Sequence, residues 1–295
     1  MNSPDEIPKL RLAPRESLED MIHREERLRR AAHLQRESDL ENSLAPFRVG
    51  SVAYLNAVPL TRGLEDQVVF ATPARLAEML RRDELDAALV SLSEVLFHDA
   101  YDVLDGIAIA CLGEVKSVLV AHRGPLEEAA EIFCDPASLS SVNLLRVLLA
   151  ERGRHPKLSV LPEGVPPAEL PAVLLIGDRA IEFDRAPHDH QITDLGYAWQ
   201  EMTRLPFVFA VWALKKGTAN ARLRRQLREA RDFGMDTLDY IIASRPEFDL
   251  NFRRDYFTWH IHYHLGADEK RGVARFVELL RRHGSQPVFD PHYVE

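Results

Sequence analysis

Small polar side chains follow the first apolar run of the chain, in the segment RVGSVAYLNAVPL at residues 48–60. Ser51, Tyr54 and Asn56 come directly after its first apolar residues, and Pro59 marks the entry to a helix. A strand that ends in such groups delivers them to the carboxyl edge of a parallel sheet, where open α/β proteins bind ligands. The segment therefore predicts that Ser51, Tyr54 and Asn56 contact a ligand.

Four further segments have a recognisable order and spacing. They are DAALVSLSEVLF at 86–97, GEVKSVLVAH at 113–122, LLIGDRAI at 174–181 and DLGYAWQEMTRLPFVFAVWA at 194–213. From about Phe47 to its end the chain resembles the menaquinone-pathway chorismate dehydratase family. The run TRLPFVFAVWA is the most specific part. The resemblance implies an α/β fold of two lobes around a central cleft, like the type II periplasmic binding proteins.

Apolar runs and helical patterns alternate after Phe47, which predicts a mainly parallel sheet covered by helices. Strands are predicted at 47–52, 68–70, 86–90, 107–110, 116–121, 131–133, 158–161, 172–176 and 207–213. Helices are predicted at 59–64, 73–82, 93–97, 140–151, 179–182, 220–243 and 268–283.

The resemblance also implies how the chain divides. Lobe one comprises 47–117 and 212–295, and lobe two comprises 122–207. The strands at 116–121 and 207–213 are expected to cross between the lobes. The cleft is the expected ligand site, and hinge residues at the crossings would let it close.

Asn56 and Ser117 are the predicted catalytic residues. The Asn56 amide can donate and accept hydrogen bonds, which suits a hydroxyl or a carboxylate, although Asn is also common at helix caps and turns. A lone strand serine such as Ser117 is usually structural, but the matching family position is a serine in the cleft. No His or Lys near it in sequence would make it a nucleophile, so we expect it to hydrogen-bond the leaving hydroxyl.

Two serine-rich helix starts are predicted to bind the substrate's anionic groups through hydroxyls and backbone amides. The first contains Ser91, Ser93 and Glu94, and a plain helix cap explains it equally well. The second contains Ser138, Ser140 and Ser141. The family usually has Arg and Thr before the last serine of the second motif, where this chain has Leu139 and Ser140. Amides and hydroxyls alone, or a nearby cation such as Lys116 or Arg179, would then hold the anion.

Gly177 and Asp178 match the family and are predicted to lie at the substrate. Gly177 permits close approach of the backbone. Asp178 either caps a helix, which we favour, or contacts a substrate hydroxyl. Arg204 replaces a glycine of the family and either adds a cation to the cleft or points to solvent.

His260, His262 and His264 would share one face of a strand, which invites a metal interpretation. Alternate residues of one strand lie about 6–7 Å apart, and a tight metal site usually draws on several elements. We therefore expect no metal, and nothing in the sequence indicates another cofactor.

The amino-acid composition limits which binding partners and which cellular compartment we expect for this chain. The net charge of −9 argues against a nucleic-acid partner. The first residues lack the apolar core of a signal peptide, and no apolar run is long enough for a membrane helix. Cys111 and Cys134 lie in apolar contexts that favour buried thiols over a disulfide, which favours the cytoplasm.

Residues 1–46 precede the resemblance and are dense in Arg and Glu. Apolar residues at irregular helical spacing predict a charged, weakly amphipathic helix or a partly disordered extension. A solvated appendage and a docking or homodimerisation helix both remain open for it.

The resemblance implies a carbon–oxygen lyase that removes water from chorismate and gives 3-[(1-carboxyvinyl)oxy]benzoate, an early step of the futalosine route to menaquinone. The sequence identifies no catalytic base, and the substrate's own side-chain carboxylate is the candidate that remains. One alternative is the sister enzyme that makes 1,4-dihydroxy-6-naphthoate. Another is a non-catalytic protein that binds small carboxylates.

Overall fold

The computed structural model describes residues 18–41, 43–137, 139–217, 221–284 and 286–295. The chain divides into two compact units between Asp39 and Leu40. The first unit contains most of a charged helix, α1 (Leu18–Leu40), in which Glu25 pairs with Arg29 at 2.7 Å. The predicted N-terminal helix is therefore present, and all the strands lie in the second unit.

The second unit alternates strands and helices. Its strands are β1 (Val49–Ser51), β2 (Val68–Phe70), β3 (Ala87–Ser91), β4 (Tyr101–Cys111), β5 (Val118–His122), β6 (Glu131–Cys134), β7 (Lys157–Val160), β8 (Ala172–Ile176), β9 (Gln191–Asp194), β10 (Phe207–Lys215) and β11 (His292–Val294). Its helices are α2 (Pro73–Arg81), α3 (Leu92–Phe97), α4 (Leu139–Glu151), α5 (Gly177–Arg185), α6 (Leu195–Thr203), α7 (Ala221–Asp236), α8 (Leu238–Ser244), α9 (Leu250–Asp255) and α10 (Ala267–His283). Short 3₁₀ helices cover Leu55–Leu60, Leu126–Glu128 and Pro167–Glu169, and a π-helical turn covers Tyr256–His260.

The first sheet has the strand order β11-β4-β10-β3-β1-β2. β1 pairs in parallel with β2 and β3, whereas β10 runs antiparallel between β3 and β4. Strand β3 is apolar from Ala87 to Val90 and buried over that length, as expected for a central strand covered on both faces. Its polar residue, Ser91, comes at the carboxyl end.

The second sheet has the order β7-β6-β8-β5-β9. β6 pairs in parallel with β7 and β8, and β5 is antiparallel to β8 and β9. We use the name lobe one for the first sheet with its helices and lobe two for the second sheet with its helices. β5 lies in the second sheet and β10 in the first, so neither strand crosses between lobes as we expected. The crossings lie instead in the connections before β5 and before β10.

An aromatic cluster packs α6, β10 and α10 together. The ring of Trp199 meets those of Phe207 and Phe276 edge-to-face, with centroids 5.2 and 5.9 Å apart. The Trp199 indole is fully buried and donates to the Pro206 carbonyl at 3.0 Å. The family-specific run TRLPFVFAVWA therefore contributes to the core, and this packing fixes the second crossing.

Asp194 ties the two crossings together. Its carboxylate caps α6 by accepting from Gly196 and Tyr197, and it also accepts from the backbone of Val115 and Lys116 at 3.0 and 2.8 Å. Burial raises the pKa of Asp194, and the backbone N–H groups offset part of that rise. One side chain thus fixes the first crossing to the start of α6.

Arg204 ends α6 in the left-handed conformation, with φ 61°. Glycine reaches this conformation without a steric penalty, which accounts for the glycine that the family has there.

Among the helices that the structure describes, none has both the length and the apolar character needed to span a bilayer.

Candidate active site

A cavity of about 80 Å³ lies between the lobes. Residues that follow β1 and β3 of the first sheet line one side, and residues that follow β6 and β8 of the second sheet line the other. The lining residues are Val52, Tyr54, Asn56, Pro73, Leu89, Val90, Ser91, Ile109, Val115, Ser117, Val118, Ala137, Leu139, Ser140, Ser141, Ile176, Gly177, Phe209 and Ala210. Most are apolar, and hydrogen bonds made in such surroundings are stronger than in water.

The structure brings together most of the predicted site residues. Those that line the cavity are Tyr54, Asn56, Ser91, Ser117, Ser140, Ser141 and Gly177. Ser51, Ser93, Glu94 and Asp178 are absent from its lining. Ser138 lies outside the described residues.

The residues absent from the lining have other contacts. Ser51 is fully buried, with its hydroxyl 3.4 Å from the carbonyl of Val52. Glu94 is buried, pairs with Arg81 at 2.5 Å, and also contacts His98 at 3.3 Å and the Tyr101 hydroxyl at 3.4 Å. The Glu94 carboxylate is therefore already neutralised by a cation and does not point at a substrate in this arrangement.

The two serine-rich helix starts meet across the cleft. The hydroxyls of Ser91 in lobe one and Ser140 in lobe two lie 2.6 Å apart. The backbone N–H of Ser140 donates to the Ser91 hydroxyl at 2.9 Å. In return, the backbone N–H of Ser93 donates to the Ser140 hydroxyl at 2.9 Å. Each serine thus caps the helix of the other lobe, and the two amides expected to bind an anion are satisfied by hydroxyls.

A second contact between the lobes involves Asp178. Its carboxylate accepts from the backbone N–H of Leu55 at 3.2 Å and so caps the 3₁₀ helix that contains Asn56. Burial raises the pKa of Asp178. Asp178 therefore caps a helix, which is the role that we favoured from the sequence, but this helix belongs to the opposite lobe.

Gly177 provides the close approach that its position predicts. Its φ of +59° is left-handed, and a Cβ there would lie 3.1 Å from the Tyr54 ring. Any other residue would be both strained and crowded at this point. Burial raises the pKa of Tyr54 to about 12, so its phenol stays neutral over the physiological range.

Asn56 and Ser117 both lie beside Tyr256, a residue that the sequence patterns did not indicate. The Tyr256 phenol is fully buried and donates to the Ser117 hydroxyl at 2.8 Å. Burial raises the pKa of Tyr256, and the neighbouring Ser117 and Asn56 side chains offset part of the rise. The Asn56 carbonyl oxygen is buried and has no hydrogen-bond partner within the described ranges.

The described residues that line the cavity carry no formal charge. The two nearby cations that could help to hold an anion have acidic partners. Lys116 pairs with Glu114 at 2.7 Å, and Arg179 lies 3.6 Å from Asp135. The groups in this cavity that could hold an anion are therefore hydroxyl, amide and backbone N–H groups.

The three histidines do not share one strand. His260 ends the π-helical turn, and His262 makes an isolated antiparallel bridge to Ala110. The His260 ring contacts the Glu114 carbonyl at 2.8 Å. The prediction that the three histidines share one face of a strand is wrong, because the residues that precede them continue α9 as a helix.

His262, His264 and Glu269 offer three ligand atoms within 4.8 Å of one another. The two imidazole rings are stacked, with 12° between their planes, so their in-plane lone pairs run side by side and do not converge. Glu269 already contacts His264 at 3.1 Å and accepts from Gly266 at the start of α10. We interpret this cluster as a capping network of the helix.

Comparison with known proteins identifies the family. A family model described as menaquinone biosynthesis matches residues 47–282. A chorismate dehydratase of Thermus thermophilus is 32% identical, over 80% of this chain and 96% of that protein. A chorismate dehydratase of Campylobacter jejuni is 27% identical, over 77% of this chain and 91% of that protein.

Solved structures support the fold. A protein of Archaeoglobus fulgidus superposes with a TM-score of 0.66 at 15% identity, covering 81% of this chain and 97% of that one. The periplasmic aliphatic sulphonate binding protein SsuA of Escherichia coli has a TM-score of 0.54 at 14% identity, covering 84% and 93%. These neighbours confirm the predicted α/β fold of the periplasmic-binding-protein type. By the extent of its match to the family model and to the Thermus relative, the chain belongs to the menaquinone biosynthesis family.

Proposed function

We propose that this protein is a chorismate dehydratase, a hydro-lyase that converts chorismate to 3-[(1-carboxyvinyl)oxy]benzoate in the futalosine route to menaquinone. The Thermus relative, which matches along nearly its whole length, carries the proposal. The uncharged cavity, with Asn56 and Ser117 in its wall, is consistent with chemistry that needs positioning more than a strong acid or base.

The reaction removes a ring proton and the neighbouring ring hydroxyl. The electron pair of the C–H bond becomes the new ring double bond, and the C–O bond breaks with its pair going to the departing oxygen. The proton and the hydroxide together make one water, and the ring becomes aromatic. We propose that Ser117 donates a hydrogen bond to the departing oxygen and that Asn56 orients the same hydroxyl.

The base has no obvious candidate among the described residues of the cavity wall, which contains no carboxylate, histidine or lysine. We propose that the side-chain carboxylate of chorismate takes the ring proton. Two carboxylates that follow lining residues in sequence have other contacts, Asp178 with Leu55 and Glu94 with Arg81. If Asp178→Asn or Glu94→Gln bound substrate normally but lost turnover, the base would belong to the protein.

Substrate carboxylates would compete with the contact between Ser91 and Ser140. A carboxylate that accepts from the N–H of Ser93 or Ser140 replaces a neutral hydrogen bond with a charge-assisted one, which is about twice as strong. Loss of the family's Arg before Ser140 makes these amides more important in this chain. Gly177 and Tyr54 would form the opposite wall against the substrate ring.

We also propose that the protein works in the cytoplasm without a cofactor. Its two cysteines are free and buried, as expected where thiols stay reduced.

A homodimer that uses α1 remains a prediction. The division into lobe one at 47–117 with 212–295 and lobe two at 122–207 also remains a prediction. The two separate sheets support that division.

Product analysis separates the candidate functions. The purified protein is incubated with chorismate, and the mixture is analysed by mass spectrometry and by proton NMR for an aromatic product one water lighter. A dehydratase gives that product. A binding protein shows heat on titration with chorismate but leaves it intact. If chorismate is neither bound nor changed, the sister activity that yields 1,4-dihydroxy-6-naphthoate becomes the leading candidate.

A further inference from the structure

Tyr256 reaches the cavity wall from a distant part of the chain. It lies at the start of the π-helical turn after α9, 139 residues beyond Ser117 in sequence. The side chain is fully buried, its hydroxyl donates to Ser117 at 2.8 Å, and the Asn56 side chain lies near enough to lower the pKa of its phenol. These are the two residues to which the proposed reaction assigns catalysis.

The protons of this triad can be assigned. A phenol has one proton, and Tyr256 donates it to the Ser117 hydroxyl. With its proton given to Ser117, the phenol can only accept from the neighbouring Asn56 side chain, through the NH₂ group of that amide. This assignment agrees with the unpartnered carbonyl oxygen of Asn56. The assignment thus makes Ser117 the acceptor of the phenol proton and leaves Asn56 on the donor side of the phenol oxygen.

The chain of hydrogen bonds leaves one donor and one acceptor available. The Ser117 hydroxyl, which already accepts from Tyr256, has its own proton to give, and its protein acceptor is the Val115 carbonyl at a long 3.3 Å. Asn56 has its buried carbonyl oxygen to offer. A hydroxyl group donates once and accepts readily, so it matches this pair. A substrate carboxylate at this point would be repelled by the carbonyl oxygen of Asn56.

We infer that Tyr256 is a positioning residue that turns Ser117 into a donor and Asn56 into an acceptor for the ring hydroxyl of the substrate. This inference rests on the proposed function. Because burial raises the pKa of Tyr256, its phenol stays protonated, and its role is orientation and not proton removal. Without the phenol, the Asn56 amide can flip and the Ser117 hydroxyl can rotate.

The test compares Tyr256→Phe with Tyr263→Phe. Tyr263 is also buried, but its hydroxyl has no partner among the described residues, so its removal costs no hydrogen bond. We expect Tyr256→Phe to lower kcat about tenfold to a hundredfold with little change in KM. Tyr263→Phe should keep the kcat and KM of the parent. Melting followed by circular dichroism checks that both variants fold.

A double-mutant cycle makes the test specific. Tyr256→Phe should cost little further activity in a Ser117→Ala background, because the orienting bond then has nothing to orient. Equal kcat for Tyr256→Phe and the parent, or additive losses in the cycle, would overturn the inference.

Binding measurements keep this result separate from the proposed function. If the parent protein does not turn over chorismate, the proposed function fails. Calorimetry with chorismate and with its dehydrated product, which lacks the ring hydroxyl, then still tests the donor–acceptor pair. The parent should prefer chorismate, and Tyr256→Phe should lose that preference. A preference that survives in Tyr256→Phe would rule out the positioning role.

Discussion

The hydroxyls of Ser91 and Ser140, which belong to opposite lobes, lie 2.6 Å apart, and each accepts a backbone N–H from the other side of the cleft. This reciprocal capping joins the two lobes. A helix start normally finds its cap in its own chain segment. Here closure of the cleft satisfies both helix starts, so closure and capping are coupled.

Ser140→Ala should open this contact. The substitution leaves the buried N–H of Ser93 without an acceptor and costs about 1–2 kcal/mol in the free energy of unfolding. Urea denaturation measures that loss, and small-angle scattering should show a less compact molecule. Ser159→Ala is the control, because it removes a hydroxyl on the edge strand β7, outside the cavity lining, that donates to Glu131. Unchanged stability and compactness would show that the contact contributes nothing to closure.

Deleting residues 1–39 should leave a stable, active protein, whereas deleting residues 1–46 should destabilise it. Leu40 and Leu44 are buried in the core of the second unit, and Gln67 hydrogen-bonds the backbone of both. Deleting 1–39 should leave the free energy of unfolding and the turnover near those of the full chain. Deleting 1–46 also removes the two leucines and should cost about 3–6 kcal/mol.

Light scattering on the same truncations tests the role of α1. A change from dimer to monomer on deletion of 1–39 would assign dimerisation to the helix. If the protein without 1–46 proved as stable as the one without 1–39, the packing of Leu40 and Leu44 would be energetically unimportant.

Stability should fall as the pH drops below the usual pKa of histidine, about 6.5, partly because of His262. Burial lowers the pKa of His262, and the nearby His264 lowers it further, while Glu269 opposes the shift. The folded protein therefore binds this proton at a lower pH than the unfolded chain does. Between the two pKa values the unfolded state holds more protons, so the free energy of unfolding decreases toward acid.

His262→Gln should flatten this part of the curve of stability against pH, measured by urea denaturation between pH 5 and pH 8 (about the range in which histidine titrates). His155→Gln, at an exposed position, is the control for the loss of a histidine elsewhere in the chain. An equal acid slope in the His262 variant would assign the effect to other groups.

Arg204→Gly should stabilise the protein by about 0.5–1 kcal/mol, because Arg204 occupies a left-handed conformation that strains residues with a Cβ. The greater freedom of glycine in the unfolded chain offsets part of the gain. Arg82→Gly is the matched control: Arg82 also ends a helix, but with φ −90°, so glycine there should destabilise. A less stable Arg204 variant would show that the arginine side chain makes a contact worth more than the strain.

Sequence patterns predicted most of the sheet and helix order, because buried strands such as β3 and β8 are continuous apolar runs. Strands β9 and β11 were not predicted, since they lie at sheet edges and contain no fully buried residue, which leaves no apolar run to detect. The short helices α6 and α9 were also missed, because a few turns carry too little periodicity.

The candidate site was predicted where a motif marks a strand end, as at Asn56 and Ser91. Tyr256 could not be predicted in this way. Its segment, DYFTW, has no distinctive pattern, and its place beside Ser117 depends on tertiary packing between distant parts of the chain. Reciprocal capping by Ser91 and Ser140 is likewise a consequence of how the lobes meet.

The rate of chorismate turnover by the parent protein and by Asn56→Ala and Ser117→Ala tests the central claim most directly. Proton NMR follows the aromatic product over time, with Ser159→Ala as the control for loss of a hydroxyl elsewhere. We expect the parent and the control to convert chorismate at equal rates, and each site variant to be slower by about tenfold to a thousandfold while remaining folded. No aromatic product from the parent, or parent-like rates from both site variants, would contradict the account.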